Sequence, residues 1–328
     1  MGLIVTRAVS PPAIRTHRLV PGRGEGAFQA LRGARLRGFH KRGSRRNSEE
    51  PSATRFLQVL ASPSRFPPLG GGLLGTFMVD DMTAKAYVVH LTRARSRRPL
   101  ALALAESLPI PTSILAAVDG KTLSAAEMRR LFLPRMHSPR YPFRLSDTEI
   151  GCFLSHRKAW QSILTDGCDA GLIVEDDVCL ASDRFADVLA AAINSIRPDE
   201  YVRFPVRERG ELGAVARSVG NVTLLEPRLP GLGMQMQLIG REAARMLLEA
   251  TATFDRPVDS LVQMQWIHSA RVLSARPIVV REVGRTNGGS TVQQKAGILS
   301  KMSHELQRPL LRLSIRLAND RWRRRTAA

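Results

Sequence analysis

Gly171-Leu172-Ile173-Val174-Glu175-Asp176-Asp177-Val178 is the stretch on which the fold turns. Leu172, Ile173 and Val174 are branched aliphatics in an unbroken run, the pattern of a strand buried on both faces. The three carboxylates that follow repel one another, and a strand has little reason to end on them unless something cationic sits nearby. Successive residues leaving a strand project to opposite sides, so Glu175 and Asp177 share one side and Asp176 takes the other. Hard cations such as Mg2+ or Mn2+ use one or two such carboxylates together with substrate phosphate oxygens. The plainer alternative is an acidic turn at a helix N-terminus, favoured by the helix dipole.

Upstream, Ser146-Asp147-Thr148-Glu149 opens a helix predicted to reach Leu164, with Ile150, Phe153, Leu154, Trp160 and Ile163 at helical spacing. Glu149 and His156 are seven residues apart, two helical turns, so they share a face with Cys152 between them. Further out, Ala86–Leu91, Ser113–Val118, Tyr201–Val206, Val222–Leu225, Met234–Ile239 and Ala275–Val280 read as strands. Leu100–Ser107, Ser124–Leu133, Asp183–Ile196, Arg241–Ala250 and Pro257–Ser269 read as helices. Strands alternating with helices predict an α/β fold, Rossmann-like, with ligands at the carboxyl ends of the strands.

The formal charge of +20 over 328 residues suggests nucleic acid until it is divided along the chain. Residues 1–77 carry 13 Lys/Arg against 3 Asp/Glu, residues 301–328 carry 8 against 2, and the centre holds 28 against 24. The charge lies on the ends. An aromatic share of 5% is also thin for a stacking platform. A basic nucleic-acid-binding protein stays open as a competing class, and nucleic acid is not the expected partner.

Residues 1–80 are rich in Arg, Pro, Gly and Ser and are expected to be disordered, either as a targeting segment or as sequence upstream of a start at Met78 or Met82. Residues 81–295 are the expected folded domain, and 296–328 a basic amphipathic helical tail suited to an anionic membrane surface or to covering the core. Cys152, Cys168 and Cys179 form no C-x-x-C pair and suit free thiols in a reducing compartment. No stretch approaches the ~20 apolar residues of a membrane span.

Three elements in order resemble the family 25 glycosyltransferases, the lipopolysaccharide-biosynthesis and collagen galactosyltransferase group. They are Glu149-Ile150-Gly151-Cys152, Ser155-His156 and Val174-Glu175-Asp176-Asp177-Val178. Flanking matches are Val89-His90-Leu91 with Arg97-Arg98, Ala117-Val118-Asp119-Gly120, Gly240–Leu248, Pro257-Val258-Asp259 and Ser290-Thr291, so the resemblance runs over about 86–292. His90 stands where the family usually has Asn, Ala94 and Ser96 replace acidic or polar positions, and Gly233-Met234-Gln235-Met236 lacks the usual small-residue and tyrosine pattern.

The resemblance implies a GT-A-like nucleotide-sugar-binding fold with a mixed sheet, and an inverting, metal-assisted hexosyl transfer. Galactose or glucose would pass from a UDP-sugar to a glycan or lipid-linked saccharide, as in lipopolysaccharide synthesis. Such a protein is expected to be cytoplasmic, peripheral at the inner membrane face. Glu175 and Asp177 are the expected metal ligands for Mn2+ or Mg2+. Arg97, Arg98, Asp119 and Glu175 are expected at the donor, and Asp259, Glu149 and His156 are the candidate catalytic groups, with Asp255 and Asp259 the alternatives for the base and Asp259 preferred. A family member that keeps the fold without turnover is the further alternative.

Overall fold

The structure is a computed structural model, and it describes residues 82–207, 211–283 and 298–326, the side chains of 298–306 apart. The expectations for residues 1–80 and for Ser290-Thr291 lie outside the described residues.

Eight strands form one mixed sheet in the order β2-β1-β3-β8-β5-β9-β7-β6. They are β1 (Ala84–His90), β2 (Thr112–Ala116), β3 (Ala170–Glu175), β5 (Glu200–Arg203), β6 (Gly213–Val219), β7 (Val222–Pro227), β8 (Met236–Gly240) and β9 (Arg271–Arg276). β1 pairs in parallel with both β2 and β3, with Val89 opposite Glu175. β8 then enters antiparallel between β3 and β5, and β5 is parallel to β9. A separate antiparallel pair joins β4 (Val178–Leu180) to β10 (Val280–Glu282). The expectation of a mixed α/β sheet is met.

The buried strands read as predicted because both faces are covered. Leu172, Ile173 and Val174 are fully buried, and their side chains alternate between two apolar layers. One layer packs Ala86, Val88, Leu172 and Val174 against Leu104 of α1 (Arg98–Ser107) and Val188 and Leu189 of α4 (Phe185–Ser195). The other packs Tyr87, Val89 and Ile173 against α3 (Asp147–Thr165) and α5 (Arg241–Ala250). In α3, Phe153, Trp160 and Ile163 have no exposed surface, each contributing about 1.5–3 kcal/mol by leaving water. Phe153 also stacks on Phe254, with ring centroids 3.9 Å apart.

Two capping boxes form. Ser124 and Glu127 open α2 (Ala125–Leu131), and Ser146 and Glu149 open α3, each pair exchanging side-chain and backbone hydrogen bonds.

Three expectations are corrected. The strand expected over Ala275–Val280 ends at Arg276, because Pro277 offers no N–H to a ladder, and pairing resumes as β10 at Val280. The helix expected over Pro257–Ser269 is two short ones, α6 (Val258–Val262) and α7 (Gln265–His268), since Met264 leaves the helical region at φ −92°, ψ 69°. β6 was not expected at all.

The C-terminal helix α8 (Ile298–Thr326) runs through Pro309 without a break in assignment. It docks on the core through Ile315 and Asn319. Asn319 donates to the carbonyl of Gln263 at 2.8 Å and accepts from the Gln265 N–H at 3.2 Å. Among the described residues no helix is long and apolar enough to cross a membrane.

Candidate active site

The exits of β1, β2 and β3 and the first turns of α3 surround an open cleft. Its lining includes Arg93, Arg97, Asp119, Cys152, Ser155, His156, Glu175, Asp176 and Asp177. The carboxyl ends of parallel strands are where an open α/β sheet binds its ligands.

The pleat divides the acidic triplet as expected. Asp176 turns to the α1 side, where it is buried and accepts from His90 Nδ1 at 2.6 Å and from Arg97 at 2.8 Å. The first acidic residue after the strand therefore clamps the arginine of the cleft. Glu175 turns to the α3 side, where Oε1 accepts from His156 Nε2 at 3.1 Å and lies 3.8 Å from the Cys152 thiol. His156 Nδ1 in turn lies 3.1 Å from the side-chain amide nitrogen of Gln237 on β8. With that amide donating, Nδ1 accepts and Nε2–H is turned to Glu175. His156 thus orients Glu175 while leaving its second oxygen free for a ligand.

Asp177 differs from both neighbours. Its Oδ1 is buried and has no hydrogen-bond partner. Burial first, then the charges of Glu175 and Asp176, push its carboxyl up to about 7. Two carboxylates facing one cleft, one with an orphaned buried oxygen, form an oxygen-only donor set that suits Mg2+ or Mn2+. Cys152, His156 and Glu175 also bring three potential ligand atoms within 4.8 Å of one another. Burial and the nearby carboxylates raise the Cys152 thiol well above its ordinary range, so Cys152 stands there as a thiol and not as a thiolate ligand.

The neighbouring loop is fixed by backbone contact. Gly120 and Gly151 face each other so closely that a Cβ on Gly151 would lie 2.6 Å from the Gly120 nitrogen, and one on Gly120 would run into the carbonyl of Asp147. Ser155 completes the joint, donating to the Gly151 carbonyl at 2.7 Å and accepting from the Val118 N–H at 2.8 Å. The Gly of Glu-Ile-Gly-Cys and the Ser of Ser-His therefore weld α3 to the loop after β2. Asp119 on that loop accepts from Arg93 at 2.5 Å and from the Lys121 N–H at 3.1 Å.

The remaining expected residues divide. Glu149 Oε2 accepts from the Ser146 N–H and hydroxyl, so that oxygen serves the cap, and the residue is not among those lining the cleft. Arg98 is exposed at the start of α1, also outside the lining. Asp259 sits on α6, where Oδ1 accepts from the Ser260 N–H at 2.6 Å and Oδ2 from the Gly233 N–H at 3.1 Å. Burial raises its carboxyl, and the charge of Glu175 adds to the rise, so the two are close enough to sense each other. His90, Gln237 and Ser155 were not among the expected site residues. His90 and Ser155 stood inside quoted motifs, but only strand pairing brings Gln237 beside His156.

The model of glycosyltransferase family 25 (LPS biosynthesis protein) matches residues 83–209. Procollagen galactosyltransferase 1 of Danio rerio is 34% identical over 140 residues, 40% of this chain and 23% of that protein. Inactive glycosyltransferase 25 family member 3 of Mus musculus is 29% identical over 122 residues, 36% of this chain and 20% of that protein. The chain thus spans about a fifth of the length of these curated relatives. A solved Drosophila β-1,4-galactosyltransferase 7 mutant, in complex with manganese, UDP-Gal and xylobiose, overlaps 68% of this chain and 79% of its own. The identity is 12% and the TM-score 0.30, too loose a likeness to carry an assignment. The resemblance read from the sequence over 86–292 is thus met as far as residue 209. Asp259 lies beyond the matched region.

Proposed function

We propose that this chain, whose residues 83–209 match the model of glycosyltransferase family 25, transfers a hexose from a nucleotide sugar to a saccharide hydroxyl, with inversion. The sugar is galactose or glucose, and the acceptor belongs to lipopolysaccharide or another surface glycan. The observation that carries the proposal is the imbalance in the cleft. Asp176 and Asp119 have arginine partners, while Glu175 and Asp177 face the same space with none.

Glu175 and Asp177 would hold the divalent cation, which when bound neutralises the charge that develops on the departing diphosphate. Arg97, steadied by Asp176, is aimed into the same cleft and matches phosphate oxygens with two parallel N–H donors. Pre-set donors of this kind need no reorganisation as charge develops. His156 holds Glu175 in place from behind. Asp259 is the proposed base for the acceptor hydroxyl, because its burial and the nearby Glu175 carboxylate raise its affinity for a proton. Asp119 is available to the ribose or the base of the donor.

A fold that binds without turnover is the second reading, since a relative named inactive is 29% identical to this chain over 122 residues. Screening UDP-hexoses for manganese-dependent release of UDP, with calorimetric binding of UDP in parallel, separates the two. Turnover that a chelator abolishes supports transfer. UDP binding with no turnover for any hexose supports the silent fold, and absence of both removes the donor site.

A further inference from the structure

The helix α8 keeps an apolar stripe in solvent although its other side is anchored. Ile315 and Asn319 face the core at 1% and 0% exposure, whereas Leu310, Leu313 and Leu317 are 64%, 51% and 48% exposed. At 3.6 residues per turn these three leucines share one side of the helix, and Arg321 and Arg324 continue the same side. Arg321, Arg324 and Arg325 are exposed, and among the described residues none of them makes an ion pair. The basic groups that do serve the fold point inward. Arg323 donates to the Pro227 carbonyl at 2.8 Å, and Asp320 pairs with Arg228 at 2.5 Å.

We infer that this outer side of α8 docks the protein on an anionic lipid surface, with Leu310, Leu313 and Leu317 entering the headgroup boundary and Arg321, Arg324 and Arg325 meeting lipid phosphates. Exposed leucines gain by leaving water, and arginines without an ion pair among the described residues on the same side select negative charge. The sign of that charge argues against a second copy of the chain, whose identical stripe would bring like charges together. The anchoring contacts at Ile315, Asn319 and Asp320 keep the helix on the core while its far side is occupied. Arg308, over the Phe143 ring at 5.6 Å, ties the same helix to the segment that leads into α3. Docking through α8 does not depend on the sugar chemistry proposed above.

The test is co-sedimentation of the full chain with vesicles of phosphatidylcholine alone and of equimolar phosphatidylcholine and phosphatidylglycerol. Binding is expected to the second and not the first. Arg321→Gln with Arg324→Gln and Arg325→Gln loses about fivefold in partitioning per charge removed. Leu310→Ser with Leu313→Ser and Leu317→Ser loses binding at low and high salt, while circular dichroism and the melting transition stay unchanged because the core-facing side with Ile315 and Asn319 is untouched. Full binding by the leucine variant would locate the contact elsewhere, the basic N-terminal segment included, and would overturn the inference. A dimer that the leucine substitutions dissociate, seen by gel filtration, would overturn it equally.

Discussion

Two ends of one sheet carry dense charge and treat it in opposite ways. At the far end, Glu200 has no exposed surface and pairs with Arg217 and Arg271, Glu226 pairs with Arg271 at 2.5 Å, and Glu211 pairs with Arg203 at 2.7 Å and Arg276 at 3.0 Å. Every acid there has a cation. At the exits of β1 and β3, Asp176 has Arg97, but among the described residues Glu175 has only His156 and Cys152 beside it and Asp177 has an oxygen with no hydrogen-bond partner. Charge that serves the fold is compensated within the chain. Charge left uncompensated in a cleft marks a place that a cationic ligand would complete.

The strongest way to break this comparison is to remove the uncompensated charge. Asp177→Ala is expected to lower transfer by about 10³-fold, the cost of losing a key electrostatic contact. Its melting temperature should hold or rise, since a buried repulsion disappears. A fall in both together would make Asp177 a structural residue. At the far end the same kind of deletion should do the reverse. Glu200→Ala strands the partly buried Arg217, leaves Arg271 with Glu226 alone, and is expected to cost about 3 kcal/mol in chemical denaturation, with turnover per folded molecule unchanged.

A third measurement uses a buried group that belongs to neither end. His268 is neutral, its Nε2–H donating to the Val262 carbonyl and its Nδ1 accepting from the Ala270 N–H. Burial lowers its pKa to about 4. The unfolded chain takes up that proton first as pH falls, so the stabilisation is full above 6.5 and is lost on descent towards 4. The loss is about 3 kcal/mol over that window. His268→Gln should flatten this part of the pH–stability curve, and an unchanged curve would refute the assignment. Gly151→Ala comes next. Alanine favours a helix by roughly 1 kcal/mol, but its Cβ meets the backbone of Gly120, for a net cost of about 2 kcal/mol and a visible loss of donor affinity. The smallest effect is Arg97→Lys, about tenfold in kcat/KM, because a point charge replaces a two-pronged donor.

The strand with its acidic exit was legible because burial on both faces leaves an unbroken aliphatic run that no surface segment needs. The caps at Ser124 and Ser146 were legible because a capping box is a local, four-residue event. The division of the triplet followed from the pleat alone. What escaped was set by partners distant in sequence. β6 has mixed small, polar and apolar residues because it is the exposed outer strand, so its pattern is weak. Gln237 reaches His156 only because β8 lies beside β3, a pairing that no spacing reveals. The double role of Glu149, shared between a motif and a cap, was readable in both senses until the hydrogen bonds were on hand.

The reversed strand β8 has one more consequence. A parallel neighbour would send its amino end to the opposite edge of the sheet; β8, running backwards, begins where β3 finishes, and Glu175 N–H donates to the carbonyl of Gln235 at the threshold of β8. The approach to that threshold, residues 228–235, touches the site through the Gly233 N–H that holds Asp259. Evolution could therefore lengthen or rewrite this approach without disturbing the strands that carry Glu175 and Arg97. The donor wall and the opposite wall are separately heritable parts, and relatives that keep one can diverge in the other.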